Sequence, residues 1–314
     1  MLEESAVYAW NRQEGESRMR VLNFGSLNLD YVYRVDHFVR PGETLAAASR
    51  DVKAGGKGLN QSVALARAGL PVCHAGCLGA GGEALKDMLE ENGVDTEFLL
   101  PVPEAQGHTV IQVSPEGENC ILLFGGSNRC VPESHIRRVI GSFSRGDWLV
   151  LQNEINSLPL IAELASAAGM HIVLNPSPYD KELEKVDLSL PDWLLVNEIE
   201  AEQITGETDP DKVWQALHAR YPKLSLLITL GSRGSVAYRV RGGIVERHAE
   251  EAVRVKAVDT TAAGDTYTGY FLAGLIADEP LPVCMNRASR AAAIAVTRSG
   301  AAGSIPWKKE LDHC

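Results

Sequence analysis

No apolar run in this sequence reaches the length of a membrane span, and no secretory signal is visible. Cysteine is sparse and badly spaced for metal or disulfide work. The six cysteines stand at 73, 77, 120, 130, 284 and 314, and no two form a C-x-x-C pair. Cys73-His74 and Cys77 have the wrong spacing for a zinc knuckle and lack a second half. They read as reduced thiols of a cytoplasmic protein. Positive charge is also short: 30 Lys and Arg stand against 41 Asp and Glu, a formal net charge of −11 with a pI near 5.3. That balance argues against nucleic acid and anionic membrane as partners. It leaves a phosphate ligand open, because backbone amides can make a local positive site on an acidic protein.

Two nucleotide motifs are missing as well. In Ala54-Gly55-Gly56-Lys57-Gly58-Leu59-Asn60 the lysine is followed by glycine, not Ser or Thr, and the glycine spacing is wrong for a Walker A loop. Gly79-Ala80-Gly81-Gly82-Glu83-Ala84 fits G-x-G-x-x-A between a strand and a helix. No acidic residue ends a second strand at the expected distance, and β-only segments follow, so the dinucleotide reading is rejected.

What is present suits one large α/β domain or a domain with an appendage. The chain has 314 residues, 45% of them hydrophobic, enough for a sizeable core even with only 6% aromatics. Residues 1–18 are polar and aperiodic, and Met19 stands directly before the first strand-like run. They read as a disordered N-terminal extension, or as the product of an upstream start codon, with the domain spanning 19–314.

From Pro132 onward strand and helix patterns alternate regularly: strands at Trp148–Gln152, His171–Asn175, Trp193–Val196 and Leu224–Leu230, with helices between them. This predicts a parallel sheet with helices on both faces. The alternation is interrupted twice. Short β-prone pieces fill Tyr31–Phe38 and Thr44–Val52, and again Phe98–Leu100, Thr109–Val113 and Asn119–Phe124. They are expected to pack together as a small sheet outside the main one, a lid over about 31–53 and 96–124. Polar residues collect at the ends of the main strands: Asn28 and Asp30, Asn153 and Glu154, Asn175, Asn197 and Glu200, Thr229 with Gly231 to Gly234. In an open α/β sheet ligands gather there. Each residue taken alone reads as a turn or a helix cap.

One stretch concentrates chemistry. Val258-Asp259-Thr260-Thr261-Ala262-Ala263-Gly264-Asp265-Thr266-Tyr267 holds two carboxylates separated by small residues, then an apolar helical pattern. If the helix begins near Gly264, its free amides form an anion site with Asp265 in the mouth. A carboxylate there makes sense if it takes a proton from a hydroxyl that attacks a bound phosphate. An acidic first turn of an ordinary helix is the other reading, and at this point both stay open.

Taken together, these pieces resemble the ribokinase branch of the PfkB carbohydrate kinase family, from about Met19 to Lys308. The resemblance rests on Gly25-Ser26-x-Asn28-x-Asp30, Gly55-Gly56-Lys57-Gly58-x-Asn60, Glu116-Gly117-Glu118-Asn119, Asn197-Glu198-x-Glu200, Ile228-Thr229-Leu230-Gly231-Ser232-Arg233-Gly234, Asp259-Thr260-x-Ala262-Ala263-Gly264-Asp265 and Ala291 to Arg298, all in order. It implies a three-layer α/β/α fold with a mainly parallel sheet and a β-sheet lid that also serves as a homodimer interface. It implies ATP-dependent phosphorylation of a sugar hydroxyl with magnesium, D-ribose to ribose 5-phosphate being the expected reaction. Another sugar or a nucleoside is the alternative substrate, and a regulator that binds without catalysis is the alternative class.

By position, Asp265 is the base, and the amides of Ala262, Ala263, Gly264 and Asp265 form the anion hole. Sugar contacts fall on Asn28, Leu29, Asp30, Gly56, Lys57, Gly58, Asn60 and Glu154. Nucleotide contacts fall on Asn197, Thr229, Leu230, Gly231, Ser232, Arg233, Gly234, Gly264 and Ser289. Glu200 matches the residue that holds the magnesium water shell. A potassium ion would take the Asp259 side chain, carbonyls of Thr261, Ala295, Arg298 and Gly300, and Ser304. Departures from the family pattern are Leu29 and Tyr31 beside the first aspartate, and Ser289 and Arg290 where bacterial members commonly carry a histidine near the adenine.

Overall fold

Strand β1 (Val21–Phe24) is where the topology divides. On one side of it lie β4 (Val72–Ala80) and β5 (Asp95–Ala105). On the other lie β8 (Trp148–Gln152), β9 (His171–Asn175), β10 (Trp193–Asn197) and β11 (Ser225–Thr229). All these strands run parallel, and the antiparallel hairpin β12 (Ser235–Arg241) and β13 (Ile244–Glu250) completes a nine-stranded sheet. The computed structural model describes residues 19–311; the extension expected over 1–18 lies outside the described residues, as does Cys314.

Both sheet faces are covered, which is why the central strands read as near-continuous apolar runs. Alternation along β1 sends Leu22 and Phe24 into one core and Val21 into the other. The first core is closed by α3 (Glu133–Ile140), α4 (Leu158–Ala168), α5 (Glu198–Thr205) and α6 (Pro210–Arg220). The second is closed by α1 (Lys57–Arg67), α2 (Glu83–Glu91), α7 (Ala263–Ile276) and α8 (Leu281–Val296).

Helix α7 is buried without a break from Asp265 to Gly274, so it lacks the polar face of a surface helix. Each fully buried side chain such as Phe271 or Leu272 contributes roughly 1.5–3 kcal/mol. A Cβ on Gly269 would come within 2.4 Å of the Ala64 Cβ, so the glycine is what lets α7 lie backbone-close against α1. That contact fixes the height of Asp265, one turn earlier, against Asn60 and Gln61.

The smaller sheet has the order β3-β2-β6-β7, from β2 (Asn28–Arg34), β3 (Ser49–Gly55), β6 (His108–Val113) and β7 (Asn119–Phe124). The expectation for Phe98–Leu100 is corrected. These residues belong to β5, which pairs in parallel with β4 at the edge of the main sheet, with Ala75 opposite Phe98. Phe98 and Leu99 are buried there because the two cores extend under that edge. No helix among the described residues is long and apolar enough to cross a membrane.

Candidate active site

The chain leaves β1 toward β4 and returns at β8, so the crevice beyond the carboxyl ends of β1 and β8 is a topological switch point. Asn28 and Asp30 lie at the start of β2, just past the end of β1, and Glu154 follows β8. They line a cleft of about 780 Å³ with Gly56, Lys57, Asn60 and Asp265. One face of the smaller sheet, including Val32, Thr109, Ile111 and Leu123, forms its opposite wall. A second cleft of about 430 Å³ lies at the ends of β9, β10 and β11, lined by Asn175, Asn197, Glu200, Thr229, Gly231 and Ala263 to Asp265. Both volumes are in the range of ligand sites. The clefts share Lys57, Thr260, Ala262 and Asp265.

Asp265 is 7% exposed. Asn60 Nδ2 donates to its Oδ2 at 2.9 Å and Gln61 Nε2 to its Oδ1 at 3.0 Å. A buried carboxylate without such donors would be strongly disfavoured. Two anchors fix the carboxylate plane and leave the remaining lone pairs toward the clefts. The Asn60 Oδ1 atom is buried and has no partner among the described residues.

Ala262 precedes α7 in the left-handed region, with φ 61°. For alanine this costs on the order of 1–3 kcal/mol, and strain of that kind collects where the backbone must be aimed. Here it turns the first amides of α7 into the shared wall of the clefts. The Ala263 amide is occupied by the Thr260 carbonyl at 3.2 Å, and the first helical bond runs from Thr266 to Ala262 at 2.8 Å. The amides of Gly264 and Asp265 are therefore the first-turn donors without an intrahelical acceptor. A Cβ on Gly264 would meet nothing within 4 Å: it would project into cleft space.

The other charges are set by their surroundings. Burial alone would lower the Lys57 pKa, but Asp265, Glu154 and Glu200 outweigh it and hold the ammonium above the ordinary lysine value. Burial pushes the Asp30 carboxyl up to about 6; a Thr109 hydroxyl bond at 2.6 Å and Lys53 oppose the rise, and Glu154 adds to it. Gly55 permits this placement, since a Cβ there would sit 1.9 Å from Asp30 Oδ2. Glu154 is held by the Ser26 hydroxyl and by the Lys57 amide at 3.0 Å. Asn128 Nδ2 donates to Asn28 Oδ1 at 2.7 Å, which leaves the Asn28 amino group as the cleft-facing donor.

The pair Asn197 and Glu200 forms a reciprocal capping box at the start of α5, with bonds of 2.8 and 3.0 Å. The cap and the cleft position coexist: both residues line the second cleft. Asp259 accepts from the Thr261 amide at 2.9 Å and the Gly300 amide at 3.0 Å. Burial would raise its pKa, but the bonds from Thr261 and Gly300 outweigh it and hold the carboxyl below the ordinary range.

Other expected residues lie outside the clefts. Leu29 is turned by strand alternation onto the core. Gly58 packs against Ser26, and its carbonyl accepts from Asn23 at 2.7 Å. Leu230, Ser232, Arg233 and Gly234 form the turn beside the second cleft, with Arg233 paired to Glu198 across it. Ser289 is buried on α8 and bonds the Glu251 carbonyl at 3.2 Å. Thr261 and Gly300 line the first cleft with Asp259, whereas Ala295, Arg298 and Ser304 do not. The Ala295 carbonyl accepts from the Arg298 amide at 3.1 Å at the end of α8, the Arg298 guanidinium pairs with Glu310 at 2.6 Å, and the Ser304 hydroxyl donates to the Ala301 carbonyl.

The sequence reading missed Ser26, Lys53, Thr109, Asn128 and Gln61. Only Gln61 carried a signal: an uncharged polar residue at an inward position of a helix, followed by the apolar run Val63 to Leu65.

Two clefts that meet at one carboxylate beneath a strained helix N-terminus define a phosphotransferase with a hydroxyl acceptor. The pfkB family carbohydrate kinase signature matches residues 19–308, and the chain belongs to that family. It is 35% identical over 304 residues to the ribokinase of Haemophilus influenzae, covering 92% of this chain and 97% of the relative. It superimposes on the ribokinase of Cryptococcus neoformans in complex with ADP with a TM-score of 0.81 at 32% identity, covering 94% of this chain and 99% of that one. It also matches the Arabidopsis thaliana ribokinase complexed with ribose and ATP, with a TM-score of 0.82 at 27% identity, covering 94% and 98%. The chain is thus a kinase acting on a sugar hydroxyl.

Proposed function

We propose that the acceptor is D-ribose, the donor ATP and the product ribose 5-phosphate. The observation that carries this reading is the meeting of the two clefts at Asp265. The sugar occupies the first cleft, its hydroxyls forked by Asp30, Asn28 and Asn60, with Lys57 and Glu154 closing the set. The nucleotide occupies the second, along Asn197, Thr229 and Gly231. The sugar hydroxyl gives its proton to Asp265 while its oxygen attacks the terminal phosphorus. The bond from that phosphorus to the ADP oxygen breaks, and the Gly264 and Asp265 amides take up the phosphoryl charge. A carboxylate is a weak base, with a reference pKa near ~4, so orientation carries more of the rate than basicity. The ribokinase relatives, one of them solved with ribose and ATP, support ribose over a nucleoside or another sugar.

Two cations fit the residues present. Glu200 uses Oε2 in the capping box, which leaves Oε1 for the water shell of magnesium, an ion that keeps waters and takes few carboxylates. Asp259 ties the Thr261 turn to the Gly300 turn through their amides; a carboxylate with carbonyls drawn from those turns would suit potassium. When bound, these ions would neutralise phosphate charge and stiffen the loop ahead of α7.

The smaller sheet serves as the lid and as a dimer interface. Its edge strand β7 is exposed along its whole length, with Leu122 70% and Phe124 52% exposed. A long apolar edge of this kind needs a cover, and a second copy provides one. The cytoplasm is the compartment proposed, where ATP and unpaired thiols both belong.

The test is ADP release over a panel of pentoses, hexoses and nucleosides, each with and without potassium chloride. Ribose should give the highest kcat/KM, and Asp259→Ala should lose the potassium response. Turnover with another acceptor and none with ribose would overturn the ribose assignment and keep the kinase.

A further inference from the structure

A relay of buried amides runs behind the base. Gln61 is 0% exposed and donates from Nε2 to Asp265 Oδ1 at 3.0 Å and to Asn175 Oδ1 at 3.1 Å. Its Oε1 accepts from Gln152 Nε2 at 2.7 Å, and Gln152 Nε2 also donates to Asn23 Oδ1 at 2.9 Å. Asn23 Nδ2 then donates to the Gly58 carbonyl at 2.7 Å and the Ser62 hydroxyl at 2.8 Å, which meets His74 Nδ1 at 2.8 Å. Asn23, Ser62, His74 and Gln152 are all fully buried.

The relay has a direction, and two backbone carbonyls set it. A carbonyl can only accept. The Gly58 carbonyl holds the Asn23 amino group, so Asn23 turns its oxygen to Gln152, which must give its amino group to Gln61 Oε1. Gln61 is left to present its N–H groups to Asp265. From the other side, the Leu195 carbonyl holds Asn175 Nδ2 at 2.8 Å, which turns Asn175 Oδ1 to accept from Gln61. Both anchors demand the same Gln61 orientation. A buried network fixed at both ends holds one geometry, and reversing any member would strand polar atoms at a cost of about 1–3 kcal/mol each.

We propose that Gln61 is the positioning residue of Asp265, and that the relay through Gln152 and Asn23 holds it there so that the carboxylate meets the sugar hydroxyl already oriented. Gln61 acts through Asp265 and lines neither cleft. The assignment rests on reading Asp265 as the base.

The experiment compares Asp265→Asn, Gln61→Met, Gln61→Glu and Gln152→Met in the full chain. It measures kcat, KM for ribose and ATP, and the pH profile of kcat, with circular dichroism melting to confirm folding. Gln61→Met should lower kcat roughly 10- to 100-fold, as a misplaced reacting group does, with both KM values within about threefold of the wild type. Gln61→Glu places a second carboxylate against the first, so the acid limb of the profile should rise by about one pH unit or more. A purely structural role would lower the melting temperature and leave kcat of the folded Gln61→Met enzyme near the wild type. A folded Gln61→Met enzyme with wild-type kcat, or a Gln61→Glu enzyme with an unmoved limb, overturns the proposal. Should Gln61→Met fail to fold, Gln152→Met decides: it touches Gln61 and not Asp265, and unchanged kcat refutes the relay. If Asp265→Asn itself turns over normally, the base assignment fails instead, so the two failures are told apart.

Discussion

The seat of Asp265 and the smaller sheet are built to opposite standards. The seat lies between α1 and α7, where Asn60, Gln61, Ser62, Asp265 and Thr266 are all buried and the carboxylate has a donor on each oxygen. The smaller sheet reaches out from the main one, and its outermost strand leaves all six side chains exposed. Yet each supplies acidic groups to the same cleft: Asp265 from the seat, Asp30 from the sheet. The group proposed to handle the proton is on the rigid side, where phosphoryl transfer, governed by orientation, would need it. The group proposed to grip the sugar is on the sheet proposed as the lid, where motion would let substrate enter and product leave. Segments with few buried contacts are where such motion is drawn from.

The hardest blow to this contrast falls on the rigid side. Asp265→Asn should lower kcat by about 10²–10⁴-fold, the usual yield of a general base, while calorimetry still shows ribose and ATP binding. Wild-type turnover would remove the base from the seat altogether. Next comes the pH dependence of sugar binding, which isolates Asp30. Its carboxyl titrates at about 6, raised chiefly by burial. The ionised form accepts sugar hydroxyls, so affinity is fully present above that pH and is lost as pH falls through it. The limiting loss is about tenfold per unit. Thr109→Val removes the hydroxyl bond that opposes the rise, so it should move the limb upward. A flat ribose affinity between pH 5 and 8, within about twofold, would mean that Asp30 does not hold the sugar. The smallest effect sharpens the comparison. Leu122→Lys on β7 should leave the unfolding free energy of the single chain within about 0.5 kcal/mol, because on that chain it is a surface change away from the core. Gel filtration of the same variant should shift toward the monomer. An unshifted elution volume would place the dimer contact elsewhere.

The sequence was most legible where period and partner coincide. Strands Trp148–Gln152 and His171–Asn175 have the boundaries read from their apolar patterns. The start of α7 near Gly264 was legible because a run of small residues ends in an acid and then an apolar helix. Phe98–Leu100 was misplaced for a physical reason: a β-prone run states its period but not its partner, and β4 pairs with it across more than twenty intervening residues. In the site, Asp265, Asp30, Lys57 and Asn60 were read from motif and position. Thr109 and Asn128 were not, since a threonine in a strand and an asparagine in a turn look like any other until a distant carboxylate or amide is brought beside them.

The order of residues alone determined that this chain alternates strand and helix, and that it carries an acid at a glycine-softened helix start and a lysine between glycines. Those are local facts, set by side-chain period and backbone freedom. Tertiary structure alone decided that two clefts share one carboxylate, that Gln61 donates to it, and that Asp30 is buried enough to titrate near 6. Each of these depends on burial and on hydrogen bonds between residues as far as 204 positions apart, and such quantities exist only once the chain has closed on itself.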